Sequence, residues 1–427
     1  MSLSRFLTTS KNIDRDSFIW NMTGSMLNAF QSVIMLMVIT RVVNLYEAGL
    51  FTIAYANANL FLNIGKYGMR NYQVSDTNNI FSFKDYRASR YITTLAMIIV
   101  SVIYVIIAGA ANSYTLEKIM IIIWMCLFKM VDALEDVYLG MYQKNHRLDI
   151  AGKCMTLRMI ATIIFFGISL AIFKRLLPTL IVSTIFTIIL CVIFIANTCK
   201  MFRNNYGEKT KHSLTKILKT CFPLFLGGFL SFYIGNAPKY AIDSLLNDEL
   251  QACYGFIAMP VFVIGILNGF IFNPMIARMS LMWNDGDKKG FLKLLKKQML
   301  ILVSITLICE AGAYLLGIPV LSWLYNTDLS PYKAELLILL LGGGFLALSG
   351  LLVTIITILR KQKLIAIGYI VVALMALVLS PIMVEKYAIM GAAVLYCILM
   401  IVLCIMFAIL LKAGSKIQKF ESFDYVK

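Results

Sequence analysis

The chain has 427 residues, of which 60% are hydrophobic and only 14% are charged. A soluble protein of this length carries far more charge, so the composition excludes a soluble fold and indicates a membrane protein with many spans. The formal net charge is +17, from 39 Lys and Arg residues against 22 Asp and Glu residues. Because no basic run is interleaved with a soluble fold, this charge is typical of cytoplasmic loops and does not predict nucleic-acid binding.

Twelve apolar stretches are predicted to be membrane helices, and the first is too long to be the apolar part of a signal peptide. The predicted spans cover residues 18–43, 46–66, 91–111, 115–138, 153–174, 178–200, 217–246, 251–276, 298–320, 332–358, 363–384 and 389–411. The chain is therefore predicted to be an all-α membrane protein. The polar segment 200–216 is predicted to be a cytoplasmic linker between two six-helix lobes, 1–199 and 217–427, the second with a cytoplasmic tail.

The basic residues are distributed unevenly between the two sets of loops. Thirty Lys and Arg residues lie in the segments on the side of the N-terminus, and six lie in the opposite loops and helix ends. By the positive-inside rule, this asymmetry predicts that both termini are cytoplasmic. The remaining three basic residues, Lys129, Arg158 and Lys239, lie within predicted spans.

The fourth predicted span carries a dense group of charges after the apolar run 119–128. Lys129, Asp132 and Asp136 share one narrow face of the helix, and Glu135 lies at the edge of that face. Charges at membrane depth are costly and usually face a protein interior or a water-filled cavity. We therefore predict that this face lines a cavity. The alternative is a helix end whose charged side chains snorkel to the membrane interface.

Other predicted spans also contain polar residues. Asn21 and Asn28 belong to a polar stripe on the first span, which indicates either a wetted wall suited to sugars or hydrogen bonds between helices. Glu310 lies near the middle of the ninth span and could carry a coupling proton or sodium ion, or be protonated and hydrogen-bonded. Lys239 could be neutralised by Asp243, four residues further on.

The sequence has no pattern typical of an enzyme or of a metal site. It contains no nucleophile elbow, no H-E-x-x-H and no P-loop. The nine cysteines are scattered without a C-x-x-C pair, and the two histidines, His146 and His212, lie in polar loops. We therefore predict that the protein is not an enzyme and uses no metal and no cofactor.

Two stretches resemble bacterial polysaccharide-repeat flippases. The end of helix 2 in that family is similar to Gly65-Lys66-Tyr67-Gly68-Met69-Arg70-Asn71-Tyr72-Gln73-Val74-Ser75-Asp76. The helix 4 to helix 5 region is similar to Asp132-Ala133-Leu134-Glu135-Asp136-Val137-Tyr138, followed by Gln143, Arg147-Leu148-Asp149 and Arg158. The family belongs to the superfamily that also contains the multidrug and toxin extrusion antiporters and the lipid II flippases.

The resemblance implies two six-helix lobes around a central cavity in the bacterial cytoplasmic membrane. It implies transport of an undecaprenyl-diphosphate-linked oligosaccharide from the inner to the outer leaflet, with membrane lipids and a coupling proton or sodium ion as further partners. Cations would attract the diphosphate, Asp132 and Asp136 would orient them, and asparagines would contact the sugar. The expected substrate-binding residues are Lys129, Arg158, Lys239, Arg70, Asp132, Asp136, Asn21 and Asn28, with Glu310 as the ion-coupling residue.

Two alternative functions stay open. The first is a cation-coupled multidrug exporter with the same fold, but such antiporters often carry an acidic residue in helix 1, and none lies between Phe18 and Thr40. The second is a membrane polysaccharide polymerase. A polymerase would need a substantial outer loop, whereas the longest predicted outer loop runs only from Val320 to Tyr332.

Reporter fusions test the predicted topology. We expect fusions after Tyr206 and Asn284 to report a cytoplasmic location, and fusions after Asn112 and Asn326 to report an external one, because of the asymmetry in basic residues. Paired reporters that are active only inside or only outside the cell provide the measurement. An external location for the Tyr206 fusion would reverse the predicted orientation.

Overall fold

The structure is a computed structural model that describes residues 3–76, 79–205, 213–359 and 362–424. It is helical almost throughout these ranges, as the predicted all-α class requires. The chain divides into two compact units, Met1–Phe229 and Leu230–Lys427, which we call the N-terminal unit and the C-terminal unit. The boundary lies within a helix that starts in the first unit and ends in the second.

The described residues of the N-terminal unit form two short helices and six long ones, followed by the first half of a ninth helix. In chain order they are α1 (Leu3–Thr8), α2 (Ile13–Val42), α3 (Leu45–Lys66), α4 (Met69–Ser75), α5 (Phe83–Ala111), α6 (Leu116–Lys144), α7 (Leu148–Phe173), α8 (Leu176–Thr198) and α9 (Ser213–Leu245). A 3₁₀ segment, Cys199–Asn205, follows α8.

In the C-terminal unit, the residues that the structure describes form the second half of α9 and five further helices. These are α10 (Asp248–Asn284), α11 (Lys288–Gly312), α12 (Ile318–Tyr325), α13 (Lys333–Ile358) and α14 (Gln362–Asp424). A π-helical turn, Ala313–Gly317, joins α11 to α12. Ala388, inside α14, has a non-helical backbone (φ 45°, ψ −129°), so α14 consists of two helical segments.

Eight helical stretches of the described residues are long and apolar enough to cross a membrane. They are Ile13–Val42, Phe83–Ala111, Leu148–Phe173, Leu176–Phe202, Leu214–Leu245, Lys288–Tyr325, Ser330–Ile358 and Leu364–Lys412. The multi-span character is therefore confirmed, whereas the count of twelve spans stays a prediction. The predicted lobes 1–199 and 217–427 also stay a prediction, and part of the linker 200–216 lies outside the described residues.

Polar residues in the short turns fix where the long helices start. The side chains of Asn12, Asn44 and Thr115 each accept a hydrogen bond from the backbone N–H three residues later, at 3.0, 2.8 and 3.2 Å. Ser82 and Asp85 form a reciprocal capping box at the start of α5. Such caps satisfy N–H groups that a helix leaves without partners, so they separate consecutive spans within a largely apolar chain.

The helices α2 and α7 approach each other unusually closely. A Cβ atom added at Gly152 of α7 would lie 2.6 Å from the backbone nitrogen of Asn21 and 2.7 Å from the carbonyl carbon of Trp20. The hydroxyl of Thr156 donates a hydrogen bond to the Trp20 carbonyl oxygen at 3.0 Å. Small residues permit this backbone approach, which is a common way for membrane helices to associate.

Substitution of Gly152 tests this contact. We predict that Gly152→Ala destabilises the folded protein by about 1–3 kcal/mol, because the added methyl group meets backbone atoms of α2 that can move only with the whole helix. Gly167→Ala is the control in the same helix, since nothing lies within 4 Å of its added Cβ atom. Thermal unfolding of the purified proteins in detergent should show a lower melting temperature for Gly152→Ala only, and equal melting temperatures would contradict the prediction.

Candidate functional site

The charged group of α6 faces the interior of the N-terminal unit. Lys129 exposes 1% of its surface, Glu135 3%, Asp136 6% and Asp132 9%. A snorkelling side chain would instead place its charged group in solvent. The four residues are therefore an internal feature of this unit and not a helix end that reaches the interface.

Lys129 is enclosed by polar groups from two neighbouring helices. Its ammonium donates hydrogen bonds to Gln31 Oε1 of α2 at 2.7 Å and to Asp132 Oδ2 at 3.1 Å. It also lies 4.7 Å from the centre of the Tyr55 ring of α3, which is a favourable cation–π distance. Each contact compensates for part of the hydration that the ammonium loses on burial.

Arg158 of α7 also contacts Asp132, and it contacts Glu135 as well. Its Nη2 atom donates to Asp132 Oδ1 at 2.6 Å and to Glu135 Oε2 at 2.7 Å, and its Nε atom donates to the same Glu135 oxygen at 3.0 Å. Its Nη1 atom donates to Thr187 Oγ1 of α8 at 3.2 Å. The guanidinium thus connects α6, α7 and α8 through charge-assisted hydrogen bonds.

Asp136 is paired by an arginine that lies one residue before the third predicted span, 91–111. Arg90 of α5 is fully buried, and its Nη2 atom lies 2.8 Å from Asp136 Oδ2. Its Nη1 atom donates to the Gly65 carbonyl oxygen at the end of α3, at 2.6 Å. The prediction missed Arg90 because α5 begins at Phe83, eight residues earlier than the predicted span.

We call Arg90, Lys129, Asp132, Glu135, Asp136 and Arg158 the buried ion network. It contains three cations and three carboxylates, so its formal charge is zero. Removing one partner from a buried ion pair leaves an uncompensated charge and typically costs about 3–5 kcal/mol. The network therefore constrains the relative positions of the helices α5, α6 and α7.

The expected diphosphate ligands Lys129 and Arg158 already have partners in this conformation. Their hydrogen-bond donors point to carboxylate, amide and hydroxyl oxygens of their own unit. Direct binding of a diphosphate to either side chain would require these ion pairs to open. The structure does bring Asp132 and Asp136 beside the cations, and their roles stay a prediction.

Arg70 and Lys66 are cations near this network that remain half-exposed. Arg70 of α4 donates to Gln143 Oε1 at 2.9 and 3.2 Å, and its Nη1 atom lies 3.6 Å from Asp136 Oδ1. Lys66 is close enough to Asp132 to interact electrostatically, but it forms no ion pair with a carboxylate in the described ranges. These two side chains have donors that the network does not use.

A left-handed turn between α3 and α4 positions these two cations. Tyr67 (φ 50°) and Gly68 (φ 62°) both have positive φ angles, a conformation that glycine adopts without steric cost. A Cβ atom at Gly68 would also lie 2.6 Å from Leu224 Cβ. The Tyr67 ring stacks on Phe225 with centroids 4.6 Å apart. The turn is thus fixed by packing against the start of α9.

The acidic end of the first resemblance motif anchors the loop that follows α4. Asp76 accepts hydrogen bonds from the backbone N–H groups of Ile80 and Phe81 and from the Tyr86 hydroxyl, at 2.9, 3.2 and 2.9 Å. Burial alone would raise the pKa of the Asp76 carboxyl, but these donors and the Lys144 ammonium lower its pKa below the usual value. Asp76 is therefore ionised at neutral pH and holds this loop.

The other expected site residues lie apart from the network. Asn21 is half-buried on α2 and Asn28 is exposed on the same helix. Lys239 of α9 and Glu310 of α11 belong to the C-terminal unit and are half-buried. Lys239 pairs with no carboxylate among the residues that the structure describes. Glu310 lies in a shallow, open and largely apolar groove together with Ala311, Tyr314, Leu315 and Leu337.

The chain is similar to known membrane transporters in its fold. It matches a multidrug resistance MATE family transporter of the MOP superfamily in an inward-facing conformation, with a TM-score of 0.70, 12% identity, and coverage of 93% of this chain and 96% of that one. It matches the lipid II flippase MurJ in an inward closed conformation, with a TM-score of 0.66, 16% identity, and coverage of 92% and 87%. At these low identities, the two matches show a shared fold.

The sequence comparisons identify the family. The capsular polysaccharide biosynthesis protein CapF of Staphylococcus aureus is 23% identical over 384 residues, which cover 88% of this chain and 94% of that protein. Residues 15–280, more than half of the chain, match the polysaccharide biosynthesis protein family. These findings confirm the family resemblance predicted from the sequence. They also confirm the prediction of a transporter and not an enzyme. The chain is a multi-pass membrane protein that belongs to the polysaccharide biosynthesis protein family and has the fold of the MOP superfamily transporters.

Proposed function

We propose that this protein moves an undecaprenyl-diphosphate-linked oligosaccharide from the inner to the outer leaflet of the bacterial cytoplasmic membrane by alternating access. The family match and the capsular relative support a role in polysaccharide synthesis. The fold shared with a lipid II flippase supports a lipid-linked substrate. The observation that carries the proposal is the pair of half-exposed cations, Lys66 and Arg70, beside a neutral buried ion network.

The proposed topology has twelve spans. Within the described ranges, eight helical stretches are long and apolar enough by themselves to cross a membrane. The long helices α3, α6 and α10 are further candidates, and α6 is less apolar because it carries the ion network. The break at Ala388 divides α14 into two segments, each of which can be a span. Charges that are paired inside a helical bundle are compatible with a membrane span.

In this proposal the diphosphate binds to Lys66 and Arg70. Anionic oxygens need donors that are not already used in short hydrogen bonds to carboxylates, and the guanidinium of arginine also offers a planar fork that suits phosphate. Asp136 and Gln143 hold Arg70 in place without burying it. Lys129 and Arg158 then act as positioning residues, because they hold together the helices that carry this pair.

The oligosaccharide would contact amide and hydroxyl groups on α2 and α3. Ser25 and Asn28 are exposed on α2, and Asn59 and Asn63 are half-buried on α3. The Nδ2 atoms of Asn59 and Asn63 donate to carbonyl oxygens of their own helix, at 2.8 and 2.9 Å. Their Oδ1 atoms accept no hydrogen bond from a donor that the structure describes, so they can accept one from a sugar hydroxyl.

Substitution of the cations tests the binding proposal. We predict that Lys66→Ala with Arg70→Ala lowers substrate affinity on the order of 10²-fold, because two charge-assisted hydrogen bonds worth about 1.5 kcal/mol each are lost. Surface polysaccharide should disappear and lipid-linked repeats should accumulate in the inner leaflet, while the melting temperature stays unchanged. Lys200→Ala is the control, because Lys200 is exposed. Arg70→Lys should restore export only in part, because lysine lacks the planar fork.

Substitution of the buried cations is expected to change the melting temperature, unlike substitution of Lys66 and Arg70. Lys129→Ala and Arg158→Ala should lower the melting temperature, because each removes a cation that compensates buried carboxylates. Lys129→Ala leaves Asp132 with Arg158 alone, and Arg158→Ala leaves Glu135 without its cation. If both variants keep their melting temperature and still lose export, Lys129 and Arg158 bind the substrate directly. If the Lys66 and Arg70 variant exports polysaccharide normally, the proposed diphosphate site is wrong.

Glu310 is the proposed ion-coupling residue. We predict that Glu310→Gln weakens transport driven by a proton or sodium gradient at an unchanged protein level, because the amide cannot bind and release a proton or neutralise a sodium ion. Glu385→Gln is the matched control, since Glu385 is exposed on α14. The rate at which a lipid-linked repeat moves from one leaflet of a vesicle to the other under an imposed gradient provides the measurement. Full activity of Glu310→Gln would remove this residue from the mechanism.

A further inference from the structure

The N-terminal segment 3–12, which we call the strap, is held by charged side chains at the start of α7. Arg147 donates from Nε and Nη2 to the two carboxylate oxygens of Asp149, at 2.8 and 2.9 Å. The same Nη2 atom donates to the Thr8 carbonyl oxygen at 2.5 Å. The Ser10 hydroxyl donates to Asp149 Oδ2 at 2.6 Å. A bidentate ion pair at the start of α7 therefore binds both a carbonyl and a hydroxyl of the strap.

Lys153, one turn further along α7, binds the strap through its ammonium. The ammonium donates to the Thr9 carbonyl oxygen at 2.9 Å, to Ser10 Oγ at 3.0 Å and to the Phe6 carbonyl oxygen at 3.3 Å. Lys153 exposes only 4% of its surface, and it forms no ion pair with a carboxylate in the described part of the chain. The oxygens of the strap are therefore the acceptors that compensate for the burial of this charge.

The strap depends on these contacts for its own structure. Its helix α1 has six residues, which is too short to be stable in isolation. The carbonyl groups at its end lack partners within the helix, and a cation at a helix C-terminus is favourable. Leu7 is fully buried, whereas Leu3 and Phe6 are exposed, so apolar packing supplies only part of the attachment.

The stretch of α7 that binds the strap also binds α2. Gly152 permits backbone contact with α2, and Thr156 donates to the Trp20 carbonyl oxygen. The strap leads into α2 through the Asn12 cap. The start of α2 is therefore attached to α7 on both sides of the turn between the strap and α2.

We propose that Arg147, Asp149 and Lys153 form a clamp that fastens the strap, and through it the start of α2, to α7, so that α2 and α7 move as one body during transport. The three residues are positioning residues and do not touch the substrate. The attachment follows from the contacts alone, whereas the statement about movement rests on the proposed transport function. Two experiments separate these parts.

Hydrogen exchange of the full-length protein in detergent tests the attachment. Lys153→Met should raise the exchange rate of the amides in residues 5–12 and at the start of α2 about tenfold, as expected for losing a hydrogen bond to a charged group. Lys153→Arg should restore protection in part, and Lys200→Met should change nothing in these segments. Ser10→Ala is a milder variant that removes one hydroxyl from the clamp, for use if Lys153→Met does not fold. Unchanged exchange in the Lys153 and Ser10 variants would overturn the clamp.

A reversible crosslink tests the shared movement. Cysteines at Gly24 and Thr156 suit a disulfide between α2 and α7, because a Cβ atom at Gly24 would lie 2.9 Å from Thr156 Oγ1. The nine native cysteines would first be replaced. The oxidised protein should transport as well as the reduced protein, and the disulfide should rescue transport in Lys153→Met. If oxidation stops transport that the reduced protein performs, the helices must separate and the shared movement is wrong. If no variant transports the lipid-linked substrate but the exchange results hold, the proposed function fails and the clamp stands.

Discussion

Neutrality of the buried ion network is the constraint on which the N-terminal unit depends. An isolated charge in a low-dielectric interior is so costly that it must find a partner or be neutralised, an ammonium by losing a proton and a carboxylate by gaining one. Three cations and three carboxylates satisfy this requirement together, and they come from three different helices. Moving α5 alone would take Arg90 from its carboxylate partner, and moving α7 alone would take Arg158 from Glu135. The network therefore favours one packing of the unit, even though its interior is mostly apolar.

The same constraint determines which cations remain available for a ligand. Arg158 donates its hydrogen bonds to Thr187, Asp132 and Glu135 of its own unit. Arg70 shares Asp136 with Arg90 at a longer distance, 3.6 against 2.8 Å, and stays half-exposed. A cation at the edge of a neutral network can bind an anion without leaving a buried carboxylate unpaired. For this reason we propose that the diphosphate binds at the turn between α3 and α4 and not at the centre of α6.

Glycine and short polar turns place the helices so that these charges can meet. Gly152 lets α2 and α7 come into backbone contact, and Gly65 lies where a Cβ atom would be 2.9 Å from Ala133 Cβ of α6. Gly68 permits the left-handed turn that redirects the chain into α4. The family stretch from Gly65 to Asp76 is therefore largely a structural element, because its residues serve packing, a turn and a loop anchor. Arg147 and Asp149 similarly hold the N-terminal strap.

The sequence by itself determined the membrane class, the helical content and the cluster of charges on α6, because hydropathy and helical periodicity are local properties of the chain. It also pointed to the family through two stretches of residues. Only the tertiary structure decided the pairing, since Arg90 of α5 and Arg158 of α7 reach the α6 carboxylates across helix packing that no local pattern encodes. For the same reason the sequence could identify Lys129 as a charge at the end of an apolar run but could not show that its ammonium already donates to Gln31 and Asp132.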